Sequence, residues 1–215
     1  NFQVMINKKG YYIVFEGVAG CGKTTQSKLL EKKLQTKFPQ KEILRTWEPG
    51  GGSEIAEAIR KIFQGTKFHE DMDPLCEQYL VAAARAQTLK TIVGPALKRG
   101  AIVLSDYSFF ASLAYQGFGR GLGFDKVLDI NTPVIGDLWP DLVIILDVPI
   151  KTTLKRTFDQ DGDKFELLGH EFFWKVKRGY SFLAKKYPRL VKIIDGTGTI
   201  EEVSNRIERH LYEKK

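Results

Sequence analysis

Apolar and polar residues alternate along the chain in blocks that have the lengths of strands and helices. Short runs rich in β-branched and apolar residues predict five strands, at 11–15, 42–46, 101–106, 142–148 and 191–196. Longer amphipathic blocks predict helices over 24–38, 53–63, 74–98 and 200–212. This alternation predicts an α/β fold, in which a five-stranded, mostly parallel sheet is flanked by helices.

Individual residues indicate where the predicted helices begin and bend. Ser53 is a candidate N-cap, and Asp73 before Pro74 has the composition of a helix start. Gly94-Pro95 predicts a kink within the helix over 74–98. Two glycine-containing stretches, 117–123 and 159–164, are interpreted as mobile segments, the second of them between two helices.

Composition and charge narrow the class of protein. The 215 residues suit one domain, and 43% hydrophobic with 27% charged residues is typical of a globular chain with a core. No apolar run approaches the roughly 20 residues of a membrane helix, which predicts no membrane association. Two cysteines and three histidines favour neither a disulfide framework nor a zinc site, and they fit a reducing cytoplasm.

The chain carries a net charge of +7, which favours partners that bear phosphate. Its lysines are spread along helices, and it has no arginine-rich arm and no aromatic RNA-binding sequence. Free nucleotides are therefore the favoured partners, and nucleic acid is not expected.

Residues 17–24 read GVAGCGKT, which is the GxxxxGK[ST] pattern placed between a predicted strand and a predicted helix. Glycines let such a loop wrap an anion with its backbone N–H groups, and the helix N-terminus adds a favourable dipole. We expect Lys23 to reach the β- and γ-phosphates of ATP and the Thr24 hydroxyl to ligate Mg²⁺. Cys21 inside the loop is either a reactive thiol or a small residue whose side chain points away.

Four further stretches have the order and spacing of a known family. They are TWEPGG at 46–51, AAARAQ at 82–87, SDYSFFASLAYQGFGRG at 105–121 and PDLVIILDVP at 140–149. Together with the loop, this series resembles the thymidylate kinases, and the stretch 170–188 resembles the helix that follows their lid. The resemblance covers nearly the whole chain and implies one domain over 1–215, with a lid at about 157–166.

The resemblance also implies a function and a set of site residues. It implies the P-loop kinase fold, transfer of a phosphoryl group from ATP to dTMP with Mg²⁺, and a homodimer. Lys23 and Asp106 would be catalytic, and Thr24 and Asp106 would hold the metal. Arg85 would bind the thymine base, unless it forms a surface salt bridge, and Tyr115 would crowd the sugar's 2′ position. The implied ATP-binding residues are Gly17, Gly20, Cys21, Gly22, Lys23, Thr24 and Thr25, and the implied substrate-binding residues are Glu48, Pro49, Arg85, Tyr115, Gln116, Trp47, Val81 and Tyr107.

The chain departs from the family pattern mainly on the acceptor side. Ala19 stands where the family has an acid, and Val81 stands where it has a phenylalanine that stacks on thymine. Trp47 and Tyr107 stand where the family has arginines, and Ala111 replaces a serine. A charged hydrogen bond to phosphate contributes about 1.5–3 kcal/mol, so these changes are large enough to alter acceptor use.

Three hypotheses follow from these departures. In the first hypothesis the chain is a thymidylate kinase in which other residues take over the roles of the missing ones. One candidate is Arg45, which lies two positions before Trp47 and therefore on the same face of the strand. Alternatively, it phosphorylates another or a modified acceptor, with Trp47 or Tyr107 as a stacking surface. In the third hypothesis it binds nucleotides and has little kinase activity. The alanine-rich stretch of the long helix likewise fits either a dimer contact or packing within the chain.

Overall fold

A computed structural model describes residues 10–65, 70–158 and 168–212 of the chain. All five predicted strands are present within these ranges, and they form one parallel sheet in the order β2-β3-β1-β4-β5. The strands are β1 (Tyr11–Glu16), β2 (Ile43–Trp47), β3 (Ile102–Asp106), β4 (Leu142–Asp147) and β5 (Val191–Asp195). The predicted α/β fold with a five-stranded parallel sheet is confirmed.

Helices cover both faces of the sheet, so the three central strands are buried almost throughout. Their continuous apolar runs are explained by this double burial. The helices are α1 (Lys23–Lys37), α2 (Glu54–Gln64), α3 (Pro74–Thr88), α4 (Gly94–Lys98), α5 (Phe109–Ser112), α6 (Phe124–Ile135), α7 (Ile150–Phe158), α8 (Gly169–Lys186) and α9 (Ile200–Tyr212).

Both predicted helix starts are present. The Ser53 hydroxyl accepts a hydrogen bond from the backbone N–H of Ala56 at the start of α2. The Asp73 carboxylate accepts from the N–H of Leu75 at 2.8 Å, with Pro74 in the first turn of α3. These side chains satisfy backbone donors that have no partner inside the helix.

The long helix changes to a wider turn just before Gly94-Pro95, where the sequence predicts a kink. Between α3 and α4 lies a π-helical segment, Leu89–Val93, and the N–H of Gly94 donates to the carbonyl of Leu89, five residues earlier. Pro95 has no N–H to offer to an α-helical ladder, and the π turn carries the chain past it without breaking the helix.

The prediction that 117–123 is a mobile segment is wrong. Its first residues belong to a second π-helical segment, Leu113–Gly119, and the rest is held by backbone hydrogen bonds. The N–H of Leu122 donates to the carbonyl of Gln116, and the N–H of Gly123 donates to that of Gly117. Gly119 in this stretch is needed for close packing, because a Cβ there would lie 2.6 Å from the ring of Phe172. The other stretch predicted to be mobile, 159–164, lies outside the described residues.

The topology places the predicted site residues at one edge of the sheet. From β1 the chain crosses to β2 on one side, and β4 and β5 lie on the other side. In such sheets ligands bind beyond the carboxyl ends of the strands at this point of reversal. The phosphate loop follows β1 at that edge, and Trp47 is paired with Asp106 where β2 and β3 end.

Candidate active site

The phosphate loop has the backbone that its glycines predict. Gly17, Gly20 and Gly22 have φ angles of 131°, 75° and 100°. A Cβ on Gly17 would lie 2.7 Å from the carbonyl oxygen of Leu146, so position 17 requires glycine for space as well as for conformation. The loop ends at the N-terminus of α1, where the side chains of Thr24 and Thr25 are exposed.

Lys23 is tucked into this loop. Its ammonium donates to the carbonyls of Gly17 and Val18, each at 3.0 Å, and lies 3.6 Å from the Cys21 sulfur. Phosphate oxygens are stronger acceptors than carbonyls, so an anion in the loop would compete for the same ammonium. Cys21 is buried next to Lys23, as expected if its side chain points away from solvent.

Asp106 and Thr24 line one cavity beside the loop. Asp106 is buried, and its Oδ1 has no hydrogen-bond partner among the described residues. A buried carboxylate oxygen without a donor is suited to a cation, and a hydroxyl adds a second hard oxygen ligand. No group of three or more His, Cys, Asp or Glu side chains suited to a metal occurs in the described ranges. Two protein oxygens fit Mg²⁺, which usually keeps waters and binds substrate phosphates in addition.

Tyr107 lies directly against the phosphate loop. Its ring centroid is 4.1 Å from the Lys23 ammonium, and its hydroxyl is 3.5 Å from that of Tyr115. The Tyr115 hydroxyl accepts the backbone N–H of Ala19 at 3.1 Å. Tyr107 has a φ of 69°, a left-handed backbone conformation that residues other than glycine rarely adopt. Two tyrosines therefore occupy the space between the loop and the neighbouring pocket, and burial raises the Tyr115 pKa well above its usual range.

A mostly apolar pocket adjoins the loop. All the predicted substrate-binding residues except Trp47 line it. The full set of lining residues is Ala19, Glu48, Pro49, Phe63, Gln64, Val81, Arg85, Tyr107, Ser108, Ala111, Ser112, Tyr115 and Gln116. We call it the acceptor pocket. Phe63 and Gln64 were missed by the sequence reasoning. Their only signal is the amphipathic pattern of α2, which does not separate a pocket residue from a core residue.

Arg85 is the centre of a buried polar network, so the surface salt-bridge alternative is wrong. Its guanidinium donates to Glu48 at 2.6 Å, to the Ser108 carbonyl at 3.0 Å, to the Ser112 hydroxyl at 3.1 Å and to Asn131. Four of its five N–H donors are thus engaged by the protein. Burial raises the Glu48 pKa, while Arg85 acts in the opposite direction. Asn131 lies in a stretch that carries no recognisable motif, and its role became visible only in the structure.

Gln116 is oriented by a buried carboxylate. Its amide Nε2 donates to Glu77 at 2.9 Å, and Arg120 pairs with the same carboxylate at 2.9 Å. Glu77 is fully buried. A buried charge needs such partners. The Glu77 carboxylate therefore holds both Arg120 and Gln116 against the first turn of α3.

A second cavity lies next to the acceptor pocket and includes Lys23 in its lining. It shares Glu48, Gln64 and Tyr107 with the pocket. Trp47 lines this cavity, and its indole N–H donates to Glu57 at 3.0 Å. We call this second cavity the phosphate-side cavity. Its charged lining residues are Lys23, Lys28, Arg45, Glu48, Arg60 and Asp106.

Glu16, at the end of β1, is a buried group that the sequence reasoning missed. Its carboxylate accepts hydrogen bonds from the Ser108 and Tyr180 hydroxyls, both at 2.8 Å. Burial raises its pKa to about 7, against the opposing effects of those hydrogen bonds and of Lys23. Since Ser108 adjoins Tyr107, Glu16 connects the strand before the phosphate loop to the wall of the acceptor pocket and to α8.

The alanine-rich part of α3 has more than one environment. Ala82 and Ala84 are buried within the chain, whereas Ala83 is exposed and Ala86 is partly exposed. Packing within the chain therefore explains two of these four residues.

No described helix is long and apolar enough to cross a membrane.

Comparison with known proteins places this site in a family. The profile of the thymidylate kinase family matches residues 15–207. The thymidylate kinase of Mesomycoplasma hyopneumoniae (strain J) is 42% identical over 200 residues, which cover 91% of this chain and 93% of that protein. That of Desulforudis audaxviator is 43% identical over 179 residues, or 83% of this chain and 80% of that protein.

A solved structure agrees with the sequence relatives. The crystal structure of thymidylate kinase from Ehrlichia chaffeensis superposes with a TM-score of 0.79 at 28% identity, covering 94% of this chain and 99% of the other. With the phosphate loop, the parallel sheet and the adjoining pocket in place, the chain belongs to the thymidylate kinase family and is a kinase.

Proposed function

We propose that this chain transfers the γ-phosphoryl group of ATP to dTMP and so forms dTDP for dTTP synthesis. The observation that carries the proposal is that two adjacent cavities share lining residues. The acceptor pocket around Arg85 shares Glu48, Gln64 and Tyr107 with the cavity that contains Lys23 and Thr24. A nucleotide with its base in the pocket would present its phosphate to the phosphate loop, as in-line transfer requires.

The phosphate loop is proposed to hold the triphosphate of ATP. The loop N–H groups and Lys23 would bind its phosphates, with Gly17, Gly20, Cys21, Gly22, Thr24 and Thr25 completing the cradle. Thr24 and Asp106 would hold Mg²⁺, which when bound neutralises charge on the phosphate oxygens. The orphaned Oδ1 of Asp106 supports this assignment.

The acceptor pocket is proposed to bind thymine. Arg85 retains one N–H donor for a carbonyl of the base, and Gln116 retains its amide carbonyl for the ring N3–H. Val81, Phe63 and Ala111 provide an apolar wall around the ring. The Tyr115 ring narrows the pocket beside Ala19, which supports its proposed role of excluding a 2′-hydroxyl.

Transfer needs no covalent step on the protein. A phosphate oxygen of dTMP forms a new bond to the γ-phosphorus while the bond to the β–γ bridging oxygen breaks, leaving ADP. The protein's contribution is alignment of the two nucleotides and compensation of charge, in which Lys23 and Asp106 have the proposed catalytic roles. The proposed lid, at about 157–166, lies mostly outside the described residues.

We also propose that the kinase acts in the cytoplasm as a homodimer. Besides the family resemblance, exposed apolar residues support the dimer. Ile55 and Ile62 on α2 and Tyr79 on the adjacent α3 are between 45% and 58% exposed. Light scattering after size exclusion should give twice the chain mass, and the substitution Ile62→Lys should lower it to that of one chain.

Nucleotide specificity tests the main proposal. ADP release should be measured with dTMP, dUMP, dGMP, dCMP and no acceptor in turn. We expect turnover with dTMP at about 1–100 per second, the usual range for kinases, and little release without an acceptor. Turnover only with a different acceptor, or ATP binding without phosphorylation of any acceptor, would contradict the proposal.

A further inference from the structure

The positive charge of the chain is concentrated in one segment that the proposed function does not use. Residues 172–194 contain seven Lys or Arg side chains and no Asp or Glu, whereas the whole chain has 33 basic and 26 acidic side chains. The segment therefore accounts for the entire net charge of +7. The spread of lysines alone does not predict this segment, because it is the absence of acidic residues that makes it basic.

Most of this segment belongs to α8, which has a buried apolar face and an exposed face. On the exposed face, Trp174, Arg178, Phe182 and Lys186 follow one another at intervals of four residues, or about 6 Å along the helix. Lys185 is exposed on the same side. We call these five residues the basic aromatic stripe.

The two rings of the stripe are accessible to solvent, and each lies next to a cation. Trp174 is 49% exposed and Phe182 is 39% exposed. The guanidinium carbon of Arg178 is 4.9 Å from the centre of the Trp174 ring, and the Lys186 ammonium is 5.8 Å from that of Phe182. A ring attracts a cation without neutralising its charge, so both cations stay available to an anion.

The cations of the stripe differ from their neighbours on α8. Lys175 pairs with Glu171 at 2.9 Å, and Lys177 pairs with Asp147 at 2.6 Å. In contrast, the three cations of the stripe form no ion pair with any carboxylate in the ranges 10–65, 70–158 and 168–212. The stripe therefore presents uncompensated positive charge between exposed rings.

This chemistry favours a single-stranded nucleic acid over other polyanions. Exposed rings can stack on unpaired bases while neighbouring cations contact the phosphates. A helix that lies on a membrane separates its apolar side chains from its cations, whereas rings and cations alternate here and the apolar face of α8 is buried. The centres of protein interfaces are depleted in lysine, which disfavours an acidic protein as the partner.

We propose that the basic aromatic stripe of α8 binds single-stranded nucleic acid at a site separate from both nucleotide pockets. None of its residues lines the acceptor pocket or the phosphate-side cavity. Trp174 and Phe182 would stack on bases, and the three cations would contact phosphates with little preference for sequence. This differs from the expectation, drawn from the spread of lysines, that nucleic acid is not a partner.

The test measures the fluorescence anisotropy of a labelled oligodeoxyadenylate that has a free 5′-hydroxyl. The strand has about 20 nucleotides, which exceeds a typical site of roughly 4–16. Saturating dTMP and ADP keep the two nucleotide pockets filled. We expect a Kd of about 1–100 μM at low salt, and a slope of about −2 for log K against log salt, because each of three phosphate contacts contributes about −0.7.

Single variants separate stacking from charge. Trp174→Ala should weaken binding about 5- to 100-fold, because one base loses its stacking partner, and Trp174→Phe should keep most of the affinity. Arg178→Gln should reduce the salt slope by about 0.7. The control Lys32→Gln, which removes an exposed cation from α1, should change neither quantity. All four variants should keep wild-type kcat, and urea unfolding shows whether each is folded.

Several results would overturn the proposal. Binding that disappears when dTMP and ADP are added would place the strand in the nucleotide pockets. An unchanged affinity in Trp174→Ala, or equal affinity for duplex DNA, would exclude stacking on unpaired bases. Equally tight binding of polyglutamate or of phosphatidylserine vesicles would mean that the stripe recognises charge alone. The assay requires no turnover, so its result does not depend on whether dTMP is phosphorylated.

Discussion

The donor and acceptor regions of this kinase differ in how their geometry is produced. The phosphate loop is one short segment whose three glycines have positive φ angles and whose lysine contacts the loop's own carbonyls. The acceptor pocket draws side chains from the phosphate loop, from the loop after β2, from α2 and α3, and from the segment after β3. A loop set by its backbone tolerates little change, whereas a pocket made of side chains can be rebuilt one contact at a time.

The altered positions illustrate this rebuilding. Trp47 is bonded to Glu57, Tyr107 contacts Lys23 and Tyr115, and the backbone N–H of Ala19 binds the Tyr115 hydroxyl. Val81 remains in the pocket wall four residues before Arg85. Each altered residue is thus integrated into the site by contacts or by its position. The following predictions test this comparison, from the largest expected effect to the smallest.

Removal of the donor-site charge should have the largest effect. Lys23→Met should lower kcat about 1000-fold or more, because a preorganised donor to the transferring phosphate is lost. Steady-state ADP release measures the effect. Lys32→Met, at an exposed position of the same helix, should retain wild-type kcat. A loss of less than tenfold in Lys23→Met would show that the donor region is more tolerant than we infer.

Removal of the central acceptor charge should destabilise the fold. Arg85→Met should lower the free energy of unfolding by about 3–5 kcal/mol, since it leaves the Glu48 carboxylate buried without its cation. Urea unfolding at neutral pH measures the loss.

The control for this substitution is an exposed ion pair. Arg99 and Glu42 are 2.7 Å apart and about half exposed, so Arg99→Met should destabilise the fold much less than Arg85→Met. Addition of Glu48→Gln to Arg85→Met should recover part of the stability. Equal losses in Arg85→Met and Arg99→Met would contradict the buried network.

Glu16 should make stability depend on pH. Its pKa is raised from 4.5 to about 7, so the folded state binds its proton more tightly than the unfolded state does. The corresponding stability is fully present below pH 4.5 and is lost as the pH rises through 7, by at most about 3 kcal/mol. Glu16→Gln should remove this slope from a pH series of urea unfolding curves.

The matched substitution for Glu16 is Glu70→Gln, at an exposed position. It should leave the slope between pH 4.5 and 7 as in the wild type. A Glu16→Gln variant that keeps the full wild-type slope would assign the pH dependence to other groups.

Restoration of one family arginine should have the smallest effect. Tyr107→Arg should lower the KM for dTMP about tenfold, because a charge-assisted bond to phosphate contributes at least about 1.5 kcal/mol. Tyr107→Phe, which removes only the hydroxyl next to Tyr115, should not lower that KM. An unchanged KM in Tyr107→Arg would show that position 107 does not face the acceptor's phosphate.

Much of the fold was predictable because it depends on local pattern. Continuous apolar runs predicted β3 and β4, and Ser53 and Asp73 predicted helix starts through backbone donors that each side chain can reach. The phosphate loop followed from residues within eight positions. The glycine-rich stretch 117–123 was misjudged, because glycine there permits close packing against Phe172, which is distant in sequence.

The sequence by itself determined the α/β fold, the phosphate loop and the family, since each depends on short-range periodicity or on motifs in a fixed order. Only the tertiary structure decided that Arg85 is held by Glu48 and Asn131, that Glu16 binds Ser108 and Tyr180, and that Arg60 lines the cavity beside Trp47. These contacts join residues up to 164 positions apart. No local pattern encodes them, because they arise where strand ends and helices meet in space.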